Sequence, residues 1–457
     1  MDKKLSAKQI VLITSTLFGL LFGSGNMIFP VHMGQLAGVN APIATLGFVI
    51  TGVGLPILAV VSIGVSKSNG FFSLCKKVSK PFAFIMSTVL FLTIGPLFVM
   101  PRSASISYGA GLSTIIGDNM SQEVAFLIFS LVFFAFVTFF SLKPSGITTW
   151  IGKIINPIFL FFLAVLLIAA VINPMGYLDN AVPMEGYESN PFMLGFINGY
   201  NTMDVLAGLA YGIIIVNIVK DMGIKTSKGL TKNMFIPSVF TAIVIMIIYV
   251  LIIGMGIQST EVFEPSSNGS IALNQISNFY FGLYGNALLT LILTLASIKT
   301  SIGLTTSCAT TFNKMFPNTL NYKKWAIIFI VVSFLISNIG LDLIIELSTP
   351  VLAFLYPVCM VLIILAFLEK RFDQSSTVYK FCIGFTCIAA FFDFIVKLPP
   401  YIIEFLHIEG FASKISEILP LFDVGFGWII PAIIGFFIGI IVWKLRKNKG
   451  LENAKNS

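Results

Sequence analysis

Apolar residues come along this chain in runs of roughly 20 or more, and polar residues gather in the short stretches between them. A helix of that length crosses a hydrocarbon core about 30 Å thick. Strands that alternate apolar and polar positions, the mark of a membrane barrel, are not what the chain shows. The pattern predicts an all-α integral membrane protein of about twelve spans, at roughly 9–31, 41–65, 82–111, 122–142, 153–173, 191–219, 235–257, 283–312, 325–342, 346–368, 377–405 and 422–443. Connections are short and no composition shift marks off a soluble domain, so residues 1–457 read as one membrane domain with a tail at 444–457. The first run lacks a small-residue cleavage site, so it reads as a retained span and not a signal peptide.

Two runs depart from the pattern near mid-depth. In the first, "LFGSGNMIFP" (Leu21 to Pro30) places Gly23, Gly25 and Pro30 where a continuous helix is hard to sustain. In the sixth, "GFINGYNTMDVLAGLAYG" (Gly195 to Gly212) carries Gly199, Asn201, Thr202 and Asp204 in its middle. Either break alone is more often the mark of close helix packing, and Gly19 with Gly23 forms such a GxxxG pair. Paired breaks in corresponding positions of two halves point instead to a transport site, where unwound backbone lines a cavity. Spans one to five (about 9–173) and six to ten (about 191–368) are then inverted repeats, with two further helices over about 377–443.

Composition agrees, with 56% hydrophobic and 11% charged residues and a mean hydropathy of +0.95, against roughly 25% charged in a soluble domain. Charge adds orientation. Placing the N-terminus inside puts 24 of the 28 basic residues on the cytoplasmic side, including Lys3, Lys4 and Lys225, and only Lys397 and Lys414 outside. Both termini are expected in the cytoplasm of a bacterial cell, the protein being multi-pass in the cytoplasmic membrane. The net charge of +8 is explained by inner loops facing anionic headgroups, so no nucleic-acid partner is expected. Cys75, Cys308, Cys359, Cys382 and Cys387 have no metal-like spacing and read as reduced packing residues. There is no P-loop, zinc motif or nucleophile with a plausible base, so neither an ATP-driven pump nor an enzyme is expected, and no cofactor.

Five spaced segments carry a resemblance. "FGSGNMIFP", "GPLFVMPRSASISY", "GYNTMDVLAGLAYGIIIVN", "ISNIGLDLIIELSTPVLAFLYP" and "GFGWIIPAIIG" are similar to the bacterial branched-chain amino acid carriers of the BrnQ type, in the amino acid, polyamine and organocation superfamily. The resemblance implies the leucine-transporter fold, a five-plus-five inverted repeat plus two helices, and uptake of leucine, isoleucine and valine coupled to a cation, Na+ or H+. It places a substrate carboxylate on the amides of Gly23, Ser24, Gly25 and Asn26, and the ammonium on carbonyls of Gly199, Tyr200, Asn201, Thr202 and Met203. Asn201 stands where the family commonly has an apolar residue, and Phe98 is a candidate for the apolar wall.

In sodium-coupled relatives of that fold, two hydroxyls of span eight and carbonyls of span one hold an ion. Here the stretch is Ala296 to Ser307, with Gly19 and Phe22 supplying the carbonyls, Thr300 keeping one hydroxyl, and Lys299 in place of the other. The expectation is that the Lys299 ammonium takes the ion's place beside those carbonyls and makes uptake sodium-independent. Arg102 is expected to pair with Asp204 or to serve an outer gate, the alternative being that its head snorkels to the interface. Asp393 and Lys397, four apart, are expected to pair on one helix face. A non-transporting amino acid sensor on the same fold is the alternative function. Oligomeric state is left open.

Overall fold

Ser6 starts the first helix: its hydroxyl accepts from the Gln9 amide at 3.3 Å, while the Ser6 amide donates to Gln9 Oε1 at 2.9 Å, a reciprocal cap. In the computed structural model, residues 5–455 are described apart from 118–119, 144–145, 178–180, 225, 409, 411–414, 416–417 and 423–424. Lys3, Lys4, Lys225 and Lys414 therefore lie outside the described residues.

The helices in chain order are α1 (Ala7–Leu21), α2 (Gly25–Ala37), α3 (Ala41–Val49), α4 (Leu55–Val65), α5 (Phe71–Cys75), α6 (Lys80–Leu92), α7 (Val99–Ser107), α8 (Ser113–Ile116), α9 (Gln122–Ser141), α10 (Asn156–Ile172), α11 (Pro191–Asn198), α12 (Asp204–Asp221), α13 (Ser227–Ser259), α14 (Gly269–Phe281), α15 (Leu283–Met315), α16 (Tyr322–Ser337), α17 (Leu341–Leu368), α18 (Ser376–Val396), α19 (Pro400–Phe405) and α20 (Ile429–Lys455). Each of the twelve predicted runs carries helix. Among the described residues, nine helical stretches are long and apolar enough to cross a membrane, and the bent pair α11 and α12 makes a tenth. Twelve falls to ten because α1 and α16 have only 15 and 16 residues, while Gly25–Val65 is one stretch of 41.

The first span breaks at Phe22 to Ser24, where Phe22 is extended (φ −81°, ψ 93°). Pro30 does not cause the break, since it sits inside α2. α1 packs on α10, α15 and a π-helical turn at Thr148–Ile155, whereas α2 packs on α14, with α13 shared between them. The sixth span bends by 44° around Met203, whose φ of 60° is left-handed. Gly199 permits that bend, because a Cβ there would collide with the Thr51 hydroxyl, which itself donates to the freed Phe196 carbonyl at 2.8 Å.

Three features were not predicted. Helix α14 is polar and only 13 residues long, capped by the Asn268 side chain. Further π-helical turns at Ile50–Gly54, Thr93–Leu97 and Tyr108–Leu112 interrupt spans two and three. The eleventh run ends early at Val396, because Pro399 and Pro400 separate α19 from α18.

Loops assigned to the inner face by charge do meet. Lys77 pairs with the buried Glu369, which also accepts from Tyr379 Oη at 3.2 Å, and Lys220 donates to Asn69 at 3.0 Å. Lys447 reaches Asp373 at 2.6 Å. Contrary to expectation Asp393 and Lys397 make no close salt bridge among the described residues; the Lys397 amide donates to the Asp393 carbonyl at 3.1 Å and the two charges interact at longer range.

Candidate functional site

The two breaks face each other. Between them lies a cavity of about 20 Å³, lined by Gly23 to Asn26 from the first span and Thr202 to Asp204 from the sixth, with Arg102 from α7 and Thr300 from α15. That free space suits a water molecule or two. Apolar lining comes from Leu21, Val99, Met203, Ala207 and Leu304.

Asn26 organises the site. Its Oδ1 accepts from the Gly23 amide at 2.8 Å, and its Nδ2 donates to Asp204 Oδ2 and to Tyr249 Oη, the latter at 2.5 Å. Tyr249 Oη donates in turn to Asp204 Oδ2 at 3.3 Å. One of the four amides expected to bind a carboxylate, that of Gly23, is therefore already satisfied. Those of Gly25 and Asn26 open the first turn of α2, where an α-helix leaves N–H groups without internal partners. Ser24 Oγ and Thr300 Oγ1, both buried on the cavity wall, have no hydrogen-bond partner.

The structure corrects the Arg102–Asp204 pairing. Among the described residues the two form no direct ion pair, because Asp204 is engaged by Asn26 and Tyr249, and Arg102 Nη2 donates to the Asn201 carbonyl at 3.0 Å. Arg102 does not snorkel: it is 3% exposed, with its guanidinium carbon 5.1 Å from the centroid of the Phe29 ring.

Lys299 is also placed differently from expectation. Its ammonium is fully buried, 3.7, 4.9 and 5.7 Å from the ring centroids of Phe159, Phe18 and Phe22, and donates to Asn156 Oδ1 at 3.3 Å. It makes no hydrogen bond to the Gly19 or Phe22 carbonyls, so span one offers it rings and span five an amide oxygen. Asn156 Nδ2 is used as well, donating to Ser15 O at 3.2 Å and Ser15 Oγ at 3.0 Å. Gly19 lies against this chamber, with a Cβ there 3.5 Å from the Asn156 side chain. Ala296 is buried one turn before Lys299.

Other expected site residues are only partly gathered in. Thr202 and Met203 line the cavity, whereas Gly199 packs on Thr51 and Tyr200 stacks on Tyr356 at 4.1 Å. Asn201 reaches the site through its carbonyl alone, its side chain donating to Asn198 Oδ1 at 3.2 Å. From α7 the wall takes Val99, and the preceding residue, Phe98, is half-buried outside the lining. Tyr249, Asn156, Phe159 and Tyr356 were missed. The available signal for Tyr249 and Asn156 was a lone polar group inside an apolar run. No cluster of three His, Cys, Asp or Glu side chains suited to a metal occurs among the described residues.

The model of a family described as branched-chain amino acid transport protein matches residues 6–446. The branched-chain amino acid permease BrnQ of Lactobacillus delbrueckii subsp. lactis is 39% identical over 449 residues, 98% of this chain and 100% of that protein. BrnQ of Bacillus subtilis (strain 168) is 39% identical over 442 residues, covering 97% and 98%, and BrnQ of Escherichia coli (strain K12) is 32% identical over 451, covering 96% and 97%. Among solved structures, the chain resembles Mhp1, a nucleobase-cation-symport-1 family transporter, in a closed conformation with bromovinylhydantoin bound (TM-score 0.61, 14% identity, covering 95% and 92%). It also resembles MhsT in complex with L-phenylalanine (TM-score 0.52, 16% identity, covering 97% and 99%). These likenesses give the chain a transporter fold, and its relatives are multi-pass membrane permeases, not enzymes.

Proposed function

This chain belongs to the branched-chain amino acid transport protein family, and from that premise we propose that it is a secondary transporter importing leucine, isoleucine and valine by alternating access. The observation that carries the reading is the meeting of two helix breaks at one enclosed cavity with a polar end and an apolar wall. The free amides of Gly25 and Asn26 suit a carboxylate, and Leu21, Val99, Met203, Ala207 and Leu304 suit a branched aliphatic side chain once the lining moves apart, since the cavity of about 20 Å³ is closed down around water-sized space. One methylene in such a wall discriminates by only about 1–3 kcal/mol, so the three amino acids compete for one site. Both termini face the cytoplasm on the strength of the charge asymmetry. The relatives' names give a non-transporting sensor no support.

Coupling follows from Lys299. The Lys299 amino group, held to span one by the rings of Phe18 and Phe22 and to span five by Phe159 and Asn156, holds together elements that a bound ion would otherwise hold. Uptake is accordingly sodium-independent, and a proton gradient is the remaining drive to vary. The test is labelled leucine uptake into proteoliposomes, with sodium, proton gradient and internal amino acid changed one at a time. Saturable accumulation, equal in sodium and choline, is the expected result; binding without accumulation rejects transport, and strong sodium dependence rejects the role given to Lys299.

A further inference from the structure

We propose that Arg102 and Asp204 are a divided pair of charges that read the two ends of one zwitterion, the guanidinium taking the carboxylate and the aspartate taking the ammonium of an amino acid. The proposal rests on the transport reading above and assigns its cavity a charge code. Both side chains line that cavity and both are almost wholly buried, Arg102 at 3% and Asp204 at 3% exposure.

Opposite charges sharing a small interior attract strongly and, left to themselves, close into an ion pair. Here neutral groups hold them apart. Arg102 is tied to the Asn201 carbonyl and laid over the Phe29 ring, and the Asp204 carboxylate is tied to Asn26 and Tyr249. The hydrogen bonds from Asn26 and Tyr249 both fall on Oδ2 of that carboxylate.

The charges also lie beside matching polar groups. Arg102 Nη2 is 3.3 Å from the point where a Cβ on Gly25 would stand, so the guanidinium converges with the free amides of α2 on one place for an anion. Asp204 begins α12, next to the Thr202 hydroxyl, which is turned back to the Gly199 carbonyl at 2.8 Å. The unpartnered hydroxyls of Ser24 and Thr300 line the same cavity. A lone cation would leave the guanidinium unanswered and a lone anion would leave the carboxylate unanswered. A molecule carrying both charged groups on one carbon, with an apolar tail for Met203, Ala207 and Leu304, answers both.

The test pairs each residue with the ligand end it is assigned. Purified full-length protein is titrated with L-leucine, with 4-methylpentanoate, which lacks the ammonium, and with 3-methylbutylamine, which lacks the carboxylate, by competition against labelled leucine. Asp204→Asn is expected to weaken leucine roughly tenfold or more while leaving 4-methylpentanoate as in the unaltered protein. Arg102→Gln is expected to weaken leucine similarly and to leave 3-methylbutylamine unchanged. Unfolding midpoints of the ligand-free variants show whether the fold survives; should Asp204→Asn fail to fold, Asp204→Glu, which keeps the charge on a longer arm, is expected to keep the preference for leucine over 4-methylpentanoate. Equal losses for leucine and its truncated analogues, or no loss for leucine, overturn the charge code while leaving the transport reading in place. Absence of leucine binding by the unaltered protein overturns both.

Discussion

Consecutive residues of α15 face two interiors that handle charge in opposite ways. Thr300 turns to the cavity, where two opposite charges, free helix amides and unpartnered hydroxyls surround open space. Lys299 turns to a chamber that holds one positive charge and has no carboxylate among its contacts; rings of Phe18, Phe22 and Phe159 and the amide oxygen of Asn156 occupy the surroundings. The first region has unpartnered polar groups beside free volume, whereas in the second the ammonium has one hydrogen bond, to Asn156, and is otherwise packed against ring faces. Buried charge alone therefore does not mark a binding site; unspent hydrogen-bonding capacity beside free volume does.

The harshest way to break this contrast is Gly25→Leu. A Cβ there already lies 3.3 Å from Arg102 Nη2 and 3.5 Å from the Phe29 ring, so a leucine side chain fills the anion end of the cavity. Leucine binding is expected to vanish while the protein still inserts and runs as a single species on gel filtration; normal affinity would place the substrate elsewhere. Next in size is Lys299→Thr, which empties the chamber. It should lower stability by roughly 2–4 kcal/mol, read as a drop in the unfolding midpoint, and give uptake some sodium stimulation. An unchanged midpoint would mean that the rings do not hold the ammonium in place.

Thr300→Val sharpens the comparison more gently. It removes one unpartnered hydroxyl and keeps the shape, so leucine affinity falls about tenfold while the ligand-free protein unfolds as before. A loss of stability with unaltered affinity would assign Thr300 to packing instead. Smallest of all is Asp393→Asn, outside both regions and without a close salt bridge, where uptake should stay within about twofold of the parent. A larger fall would bring α18 into the transport path.

Much of the cavity was legible because its signals are local. Gly23, Gly25 and Gly199 with polar neighbours interrupt apolar runs, and such an interruption is read within ten residues. Partner choice was not legible. Asn26 meets Tyr249 across 223 residues and Lys299 meets Asn156 across 143, separations that no spacing rule covers. The expected Arg102–Asp204 bridge failed for a related reason: matching opposite charges ignores neutral donors, and Asn26 and Tyr249 reached the carboxylate first. The π-helical turns escaped because one extra residue in a helical turn leaves no composition signature.

The three residues between Leu21 and Gly25 carry a mechanical consequence. An unbroken helix conveys displacement along its length like a rod, whereas a gap in its hydrogen-bond ladder lets the ends move independently. The lower end, α1, has α10, α15 and the π-helical turn at Thr148–Ile155 as its own neighbours, and the upper end, α2, has α14, while the long helix α13 runs past both. Along the first span itself the gap at Phe22 to Ser24 leaves α13 as the continuous helix that joins the two ends. On the transport reading proposed above, such a joint lets one face of the membrane be unsealed with the opposite seal intact, so that substrate would cross without the protein becoming, at any instant, a leak.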